Sequence, residues 1–241
     1  MATEGRNASQ EQRADVLDQE LVHVLRQCAD RYRRIVFSCS FGGTSIVIAH
    51  AIAMSRMDIP VYFVDTGLLF AETLAARRRF EQRFGLHVID VGPALTLSQQ
   101  AQRHGGELWL RDPDLCCALR KVEPMQRLLD GVDAWITGLR RDQASTRGQV
   151  EVFERHGLGD GRTIEKVNPM AHWPRQDAWQ YIQAHDLPYN ILLDQGYRSI
   201  GCRPCTGPVA AEDDEREGRW AGHEKTECGL HTFTRRLREG G

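Results

Sequence analysis

Short apolar segments alternate with helical patterns along most of the chain, and this alternation limits the fold more than any other feature. Buried strands are predicted at residues 35–38, 61–67, 87–91 and 134–138. Apolar residues at helical spacing predict helices at residues 16–32, 46–54, 70–84 and 119–129. Strands that alternate with helices in this way are typical of an α/β protein with a doubly wound, mostly parallel sheet.

The rest of the chain carries fewer structural signals. Residues 166–170 are predicted to start a different region, and residues 173–185 to form an amphipathic helix. Residues 206–241 are highly charged and have few apolar anchors, so we expect a mobile carboxyl-terminal segment. The predicted organisation is a flexible N-terminus at 1–15, an α/β domain at 16–205 and the mobile segment at 206–241.

The overall composition indicates a soluble protein without an obvious polymeric partner. The chain has 31 basic and 33 acidic residues among 241, so its net charge does not favour nucleic acid or membrane as a partner. No apolar run is long enough to span a bilayer, and the polar N-terminus has no signal-peptide core. We therefore expect a cytoplasmic protein. Seven cysteines in that compartment indicate metal binding or catalysis rather than structural disulfides.

Two cysteine pairs, distant in the chain, predict a metal site. Cys202 and Cys205 form a Cys-x-x-Cys motif, and Cys116 and Cys117 are directly adjacent. Together the pairs can supply four thiolates to an iron–sulfur cluster or to zinc. Zinc ligand pairs usually stand two to four residues apart, so the adjacent pair favours iron–sulfur, although spacing alone leaves both metals open. A redox dithiol and unrelated buried cysteines are the alternatives.

Three loops that follow predicted strands could bind an anion. Ser40, Gly42 and Gly43 lie between a strand and an apolar helix, where backbone N–H groups and a helix N-terminus can receive a phosphate. Asp65 follows the second strand, and a basic, hydroxyl-rich loop that includes Arg147 follows the fourth. Ligands of open parallel sheets bind at these strand ends. An ordinary tight turn and a solvated loop are the alternatives.

The seventh cysteine, Cys228, lies in the polar carboxyl-terminal segment. Lys225 and His231 are close to it in sequence and favour the thiolate, which is the nucleophilic form. Arg216 and Arg219 are three residues apart, so one helical turn would bring both to one side. These features predict a nucleophile delivered by a closing segment. An incidental surface thiol, a further metal ligand and a solvated charge run are the alternatives.

Several short motifs resemble those of the assimilatory sulfonucleotide reductases, in particular the bacterial adenylyl-sulfate (APS) reductases. They stand at residues 64–67, 116–122, 135–140, 167–170, 187–190, 196–202, 218–220 and 227–231. The resemblance implies an adenine-nucleotide α hydrolase-like fold. It also implies thioredoxin-dependent reduction of APS to sulfite and AMP, within sulfate assimilation and cysteine biosynthesis.

The same resemblance implies roles for individual residues. Cys228 would be the nucleophile and would form an S-sulfocysteine intermediate. The implied ligands of a [4Fe-4S] cluster are Cys116, Cys117, Cys202 and Cys205. The residues implied to surround the sulfate end of APS are Lys121, Arg216, Arg219 and His231. The residues implied to hold the nucleotide are Ser40, Gly42, Gly43, Asp65, Thr66 and Gly67, with Arg147 on its phosphate.

Three other functions are compatible with parts of this pattern. One is reduction of the 3′-phosphorylated substrate PAPS, although family members that use PAPS typically lack the four cluster cysteines. Another is a structural-zinc protein of the same fold that binds a nucleotide without reducing sulfate. The third is an ATP-pyrophosphatase ligase or tRNA-thiolating enzyme, which would not explain Cys228. One departure from the family pattern is Thr44-Ser45, where related loops often carry an acidic pair.

Overall fold

The computed structural model describes residues 8–210 and 214–231, and a six-stranded sheet forms its centre. The strands are β1 (Ile35–Ser38), β2 (Val61–Val64), β3 (Val88–Val91), β4 (Ala134–Ile136), β5 (Phe153–Gly157) and β6 (Thr163–Val167). Their order across the sheet is β3-β2-β1-β4-β6-β5, and every pair is parallel except β5 and β6. This arrangement confirms the predicted doubly wound, mostly parallel sheet.

Eight α-helices flank this sheet in the described part of the chain. They are α1 (Ala8–Arg31), α2 (Ile46–Met54), α3 (Ala71–Phe84), α4 (Leu97–His104), α5 (Leu108–Arg111), α6 (Pro113–Cys117), α7 (Glu123–Leu128) and α8 (Arg175–Ala184). A π-helical turn, Ala118–Val122, joins α6 to α7, and short 3-10 turns lie at Arg141–Gln143, Ser145–Arg147, Ile191–Gln195 and Arg203–Cys205. None of the helices in residues 8–210 and 214–231 has the length and apolar character needed to cross a membrane.

The two central strands owe their position to uninterrupted apolar sequence. The first three residues of β1 and all three of β4 are buried, as expected for strands covered by helices on both faces. The larger core lies between the sheet and helices α1, α2 and α8, and the smaller one packs around Trp135, Met125 and Leu129. This packing fixes the strand ends on which the site is built.

Helix α1 starts earlier than the sequence pattern predicts. Leu17, Leu21, Leu25 and Cys28 are all fully buried, which matches one apolar helical stripe. The helix begins at Ala8, and Ala14 is also buried. Residues 8–15, which fall in the predicted flexible N-terminus, therefore form the first turns of α1. Residues 1–7 of that prediction lie outside the described residues.

The prediction that residues 166–170 start a different region is wrong. Residues 163–167 form β6, which pairs in parallel with β4 and antiparallel with β5. Val167 is fully buried, and Lys166 is 4% exposed because its ammonium group pairs with Glu154 at 2.9 Å. A buried, paired lysine interrupts the apolar pattern of β6, and the only buried residue of β5 is His156, so the sequence pattern predicts neither strand.

The helix predicted at residues 119–129 starts earlier and is not regular. Asp112 caps α6 by accepting a hydrogen bond from the Leu115 N–H at 2.9 Å, and Pro113 takes the first helical position. The π-helical turn, which carries Lys121, follows α6 directly. Helices α4 and α5, which precede α6, were not predicted. The irregular turn brings Cys117 and Lys121 toward the same side of the sheet.

Strand order creates a crevice above the carboxyl ends of β1 and β4. The chain runs outward from β1 to β2 and β3, then returns to the other side of β1 as β4. The connections on the two sides of this switch point diverge, and open α/β sheets bind ligands in such a crevice. The polar residues Ser38 and Thr137, at the ends of β1 and β4, open into it.

Candidate active site

One cavity above these strand ends collects most of the residues predicted to bind substrate. Those that line it are Ser40, Gly42, Gly43, Thr66, Lys121, Arg147, Arg216, Arg219 and His231, together with Cys228. Asp65 and Gly67 do not line it. Their contact closes the turn after β2, because an Asp65 carboxylate oxygen accepts the Gly67 N–H at 2.8 Å. The cavity therefore joins residues from both halves of the chain.

The loop between β1 and α2 is held in a conformation that few residues adopt. Phe41 has φ +49°, in the left-handed region, and its fully buried ring packs edge-on against Phe63 and Phe80. A Cβ atom on Gly42 would lie 2.9 Å from the Ile200 carbonyl oxygen, so glycine is required there. This packing aims the backbone of residues 42–45 and the start of α2 at the cavity.

Arg140 and Arg147, both from the basic loop after β4, have different roles. Arg140 is fully buried and donates to the Thr44 hydroxyl at 2.5 Å. It also pairs with Glu215 at 3.1 Å. Arg140 thus connects the loop between β1 and α2 to the carboxyl-terminal segment. Arg147, in contrast, lines the cavity. The Thr44 hydroxyl, which stands where related loops often carry an acidic side chain, accepts this hydrogen bond from Arg140.

The described part of the carboxyl-terminal segment lies against the α/β body. The backbone N–H of Trp220 donates to the Cys205 carbonyl at 3.0 Å, and the residue is 3% exposed. Lys225 pairs with Asp114 of α6, and its ammonium group lies 5.4 Å from the Trp220 ring centroid. The segment therefore has an apolar anchor and an ionic one, and both are next to the cysteine pairs.

Cys228 is half-buried in the cavity wall and has an unusual environment for a thiol. Burial opposes its ionisation, but Lys121, the Leu230 N–H and Arg216 outweigh that effect, so the pKa of Cys228 lies below its ordinary value. Cys39 lines the same cavity, but its burial outweighs the hydrogen bonds of Ser45 and the Phe41 backbone and the charge of Arg77, so its pKa is raised to about 12. Of the two thiols that line this cavity, Cys228 is therefore the more readily ionised.

This difference predicts selective alkylation. Near pH 7, iodoacetamide should modify Cys228 faster than Cys39 or Cys28, since burial raises the pKa of each of these two to about 12. Peptide mass spectrometry of samples quenched over time measures the order. Lys121→Met should slow the labelling of Cys228 at pH 7, because the thiol loses the cation that favours its thiolate. Labelling of Cys39 or Cys28 before Cys228 would contradict this environment.

His231 is held as a neutral imidazole in the same wall. Its ring stacks on Trp135, with centroids 5.2 Å apart and planes at 13°. Burial and the neighbouring cations Lys166, Arg147 and Arg216 keep the pKa of His231 well below its ordinary value. Its Nδ1 atom is buried and has no hydrogen-bond partner within residues 8–210 and 214–231. His231 therefore offers a ligand a hydrogen bond rather than a positive charge.

Glu227, next to the candidate nucleophile, holds two of the cavity's arginines. Arg147 donates to both Glu227 carboxylate oxygens, at 2.9 and 3.0 Å. Arg216 donates to one of them at 3.0 Å. This bidentate arrangement is the strongest geometry for an arginine–carboxylate pair. Glu227 was not among the predicted site residues.

The four paired cysteines meet at a second, smaller cavity beside the first. Its lining includes Cys116, Cys117, Cys202 and Cys205. Antiparallel bridging between Leu69 and Cys202 holds one pair, and the end of α6 carries the other. Burial and the neighbouring thiols of Cys202 and Cys205 raise the pKa of Cys116 to about 11. Four thiols in one buried cavity form an all-sulfur donor set.

Two adjacent cations, Arg120 and Lys121, line the four-cysteine cavity. Arg120 is 3% exposed and donates to the Gln100 side-chain oxygen at 3.0 Å and to the Thr66 carbonyl. Lys121 lines both cavities. Neither residue forms an ion pair with a carboxylate in the described part of the chain. Arg120 is close to the thiols of Cys116 and Cys202 and to the Asp65 carboxylate, and Lys121 is close to the thiols of Cys202 and Cys228. Thr66 contributes a hydroxyl 3.3 Å from the Cys202 sulfur.

Comparisons with known proteins agree with this arrangement. The family model described as phosphoadenosine phosphosulfate reductase domain matches residues 34–208. An adenosine 5′-phosphosulfate reductase of Geobacillus thermodenitrificans is 48% identical over 82% of this chain and 83% of its own length. Adenosine 5′-phosphosulfate reductase 2 of Bacillus subtilis is 45% identical over 82% of this chain and 83% of its own length.

Solved structures show the same relationship at the level of the fold. A phosphoadenylyl-sulfate (PAPS) reductase from Candida auris is 28% identical and covers 86% of this chain and all of its own, with a TM-score of 0.68. An FMN adenylyltransferase from Candida glabrata is 14% identical and covers 94% of this chain and 78% of its own, with a TM-score of 0.58. At this identity the similarity shows the fold alone. The chain belongs to the phosphoadenosine phosphosulfate reductase family.

Proposed function

We propose that this chain reduces APS to sulfite and AMP in assimilatory sulfate reduction and cysteine biosynthesis, with thioredoxin as the dithiol reductant. The observation that carries the proposal is a thiol with a lowered pKa, Cys228, in a cavity that Lys121, Arg216 and Arg219 also line. A nucleophile beside clustered cations suits an anionic electrophile. The bacterial relatives named adenosine 5′-phosphosulfate reductase support APS as that substrate.

The nucleotide would bind at the strand ends. The loop of Ser40, Gly42 and Gly43 leads into α2, whose N-terminus favours negative charge. Arg147 would hold the phosphate of the nucleotide, while Asp65 and Gly67 would act through the turn that positions Thr66. The sulfate end would then point toward Lys121 and Cys228.

The reaction consists of two transfers with balanced electrons. The Cys228 thiolate attacks the sulfur of APS, a sulfur–sulfur bond forms, and the bond from sulfur to the phosphate oxygen breaks to release AMP. One thioredoxin thiolate then attacks the Cys228 sulfur, and sulfite leaves with the electron pair of the sulfur–sulfur bond. The second thioredoxin thiol resolves the mixed disulfide and regenerates the Cys228 thiolate. The dithiol is oxidised by two electrons and the sulfate sulfur is reduced by two.

The first transfer brings a thiolate to an anion, so the protein must offset their repulsion. Lys121, Arg216 and Arg219 would do so with charges already in position, which is often the largest contribution to catalysis. His231, being neutral, would donate a hydrogen bond to a sulfate oxygen or to the leaving oxygen. Arg219 is held for this role by packing, since its guanidinium group fills the space that a Cβ atom on Gly201 would need.

The four-cysteine cavity fits a [4Fe-4S] cluster. Cys116, Cys117, Cys202 and Cys205 would each bind one iron, and their buried thiols need a positive partner to ionise. In the described residues, no group of three or more His, Cys, Asp or Glu side chains is placed to hold a metal ion, so the proposal rests on the four thiols that line one cavity. When bound, the cluster would order the Lys121 region and tune the electrostatic field there.

We further propose that the described part of the carboxyl-terminal segment, residues 206–210 and 214–231, moves relative to the domain at 16–205. Cys228 must face APS in the first transfer and thioredoxin in the second, and one fixed position cannot serve both partners. The described residues 214–231 would represent the closed position. Residues 211–213 and 232–241 lie outside the described residues.

PAPS reduction is the second candidate function. The family model is described by the phosphorylated substrate, and the Candida auris structure is named for it. The relatives named for APS are more similar to this chain, at 45–48% identity against 28%. The four-cysteine cavity also favours APS, because family members that use PAPS typically lack these cysteines.

A sulfite assay on anaerobically purified protein tests the proposal. With reduced thioredoxin, APS should yield sulfite and AMP in equal amounts, and APS should be preferred to PAPS. Iron and acid-labile sulfide should be present in the same sample. Preferred turnover of PAPS would establish the second candidate instead. A protein that contains zinc, binds nucleotide and forms no sulfite would contradict both reductase assignments.

A further inference from the structure

Glu227 occupies the place where an anionic ligand would be expected. Its carboxylate accepts two hydrogen bonds from Arg147 and one from Arg216, and the Thr146 hydroxyl lies 3.4 Å away. The three charged side chains are only 11–15% exposed. Paired arginines hold phosphate or sulfate with the same arrangement of N–H groups. The Glu227 carboxylate thus accepts hydrogen bonds from Arg147 and Arg216, the two arginines that would bind the substrate in the proposed function.

Glu227 is not needed to hold the carboxyl-terminal segment in place. Trp220 is anchored through the Cys205 carbonyl, Lys225 pairs with Asp114, and Glu215 pairs with Arg140. These three contacts hold the described residues 214–231 in the closed position independently of Glu227. The contact that Glu227 makes is different, because both of its arginine partners, Arg147 and Arg216, line the cavity.

A nucleotide phosphate and the Glu227 carboxylate compete for Arg147. Arg147 donates from Nε and Nη2 to Glu227 and from Nη1 to Gln143, so a phosphate on Arg147 would need N–H groups that are already in use. Arg216 keeps an unpartnered Nε in the described residues, but two anions side by side in a partly buried site repel each other. Binding of one therefore requires departure of the other. Because Glu227 directly precedes Cys228, its departure also changes the position of the nucleophile.

We propose that Glu227 is an internal competitor for the anionic end of the nucleotide, an inference that rests on the proposed function. In the free protein, the carboxylate fills the Arg147–Arg216 pair. The incoming substrate displaces it, which couples arrival of the anion to movement of Cys228. After the first transfer, Glu227 returns to the arginines and expels AMP. The residue thus weakens nucleotide affinity and promotes product release.

The competition predicts an increase in affinity when the carboxylate is removed. Glu227→Gln should lower the Kd of AMP by about tenfold if Glu227 leaves about a tenth of the free protein competent to bind. The Kd of adenosine, which has no phosphate, should stay the same. Isothermal titration calorimetry of the holoprotein with each ligand measures both constants. A residue that merely positions the arginines would give the opposite sign for AMP.

Glu224→Gln is the matched control. Glu224 is an exposed residue of the same segment, so its replacement removes the same charge close by without freeing the two arginines. Its effect on AMP affinity should be well below that of Glu227→Gln. Glu227→Ala provides a second variant, for which AMP should also bind more tightly than in the wild type.

The possible outcomes separate this inference from the proposed function. If wild-type protein binds AMP and both Glu227 variants bind it equally or more weakly, the internal competitor is wrong and the reductase assignment stands. The internal competitor is also wrong if adenosine gains as much affinity as AMP, or if Glu224→Gln gives the full increase. If wild-type protein binds neither AMP nor APS, the proposed function is wrong and the competitor falls with it.

Discussion

Replacing Cys228 by serine is expected to abolish sulfite formation, with a loss on the order of a thousandfold or more, because the variant removes the atom that attacks sulfur. A serine hydroxyl gains little from Lys121 and Arg216, since it does not ionise near neutral pH. AMP should still bind, because the strand-end loops remain intact. Sulfite release and AMP calorimetry on the same preparation measure the two effects.

Cys28→Ala is the matched control for this variant. Cys28 is fully buried in α1 and does not line the candidate active-site cavity, so its removal should leave the rate close to that of the wild type. Turnover by Cys228→Ser at a normal rate would show that another group is the nucleophile. Loss of both turnover and AMP binding would instead indicate damage to the nucleotide site.

Replacing Cys202 by alanine should have the second large effect, loss of iron together with loss of activity. Cys202 lines the four-cysteine cavity and contacts Thr66, so the variant removes one of four thiolates from a buried site. Metal binding and folding are coupled at such sites, and the fall should exceed the roughly 10–100-fold range of outer-shell changes. Iron, acid-labile sulfide, visible absorption and sulfite formation are the measurements.

The Cys28→Ala variant again serves as the control, and it should keep its iron. Thermal unfolding of Cys202→Ala identifies any general loss of folding. A Cys202→Ala protein with wild-type iron content would exclude this residue as a ligand. Zinc in place of iron, in a wild-type protein with full reductase activity, would contradict the assignment of the cofactor.

The parts of the fold that the sequence predicts well are those with local signals. The bounds of α2 and β1 agree with the structure because each is a short apolar run next to turn residues. Strand β6 was missed because its Lys166 is buried by pairing with Glu154 on β5, a contact between strands that no single strand reveals. The π-helical turn at residues 118–122 also has no sequence signature that distinguishes it from an α-helix.

The candidate site likewise contains residues that the sequence predicts and contacts that only the structure reveals. The cysteine pairs and Cys228 are recognisable because their residue types and spacing carry the chemistry directly. The contact of Glu227 with Arg147 joins residues 80 positions apart, so it could only be found in three dimensions. The neutral state of His231 depends on burial and on Lys166, Arg147 and Arg216 together. A sequence shows the histidine but not the field that deprotonates it.

The central claim is that Cys228 takes the sulfonate from APS before any reductant acts. Intact-protein mass spectrometry of the iron-loaded enzyme, incubated with APS and no thioredoxin, tests it most directly. We predict one sulfonate adduct, located on Cys228 by peptide analysis, which disappears as reduced thioredoxin releases sulfite. Iron-loaded protein that releases AMP from APS without acquiring a sulfonate on Cys228 would contradict the account.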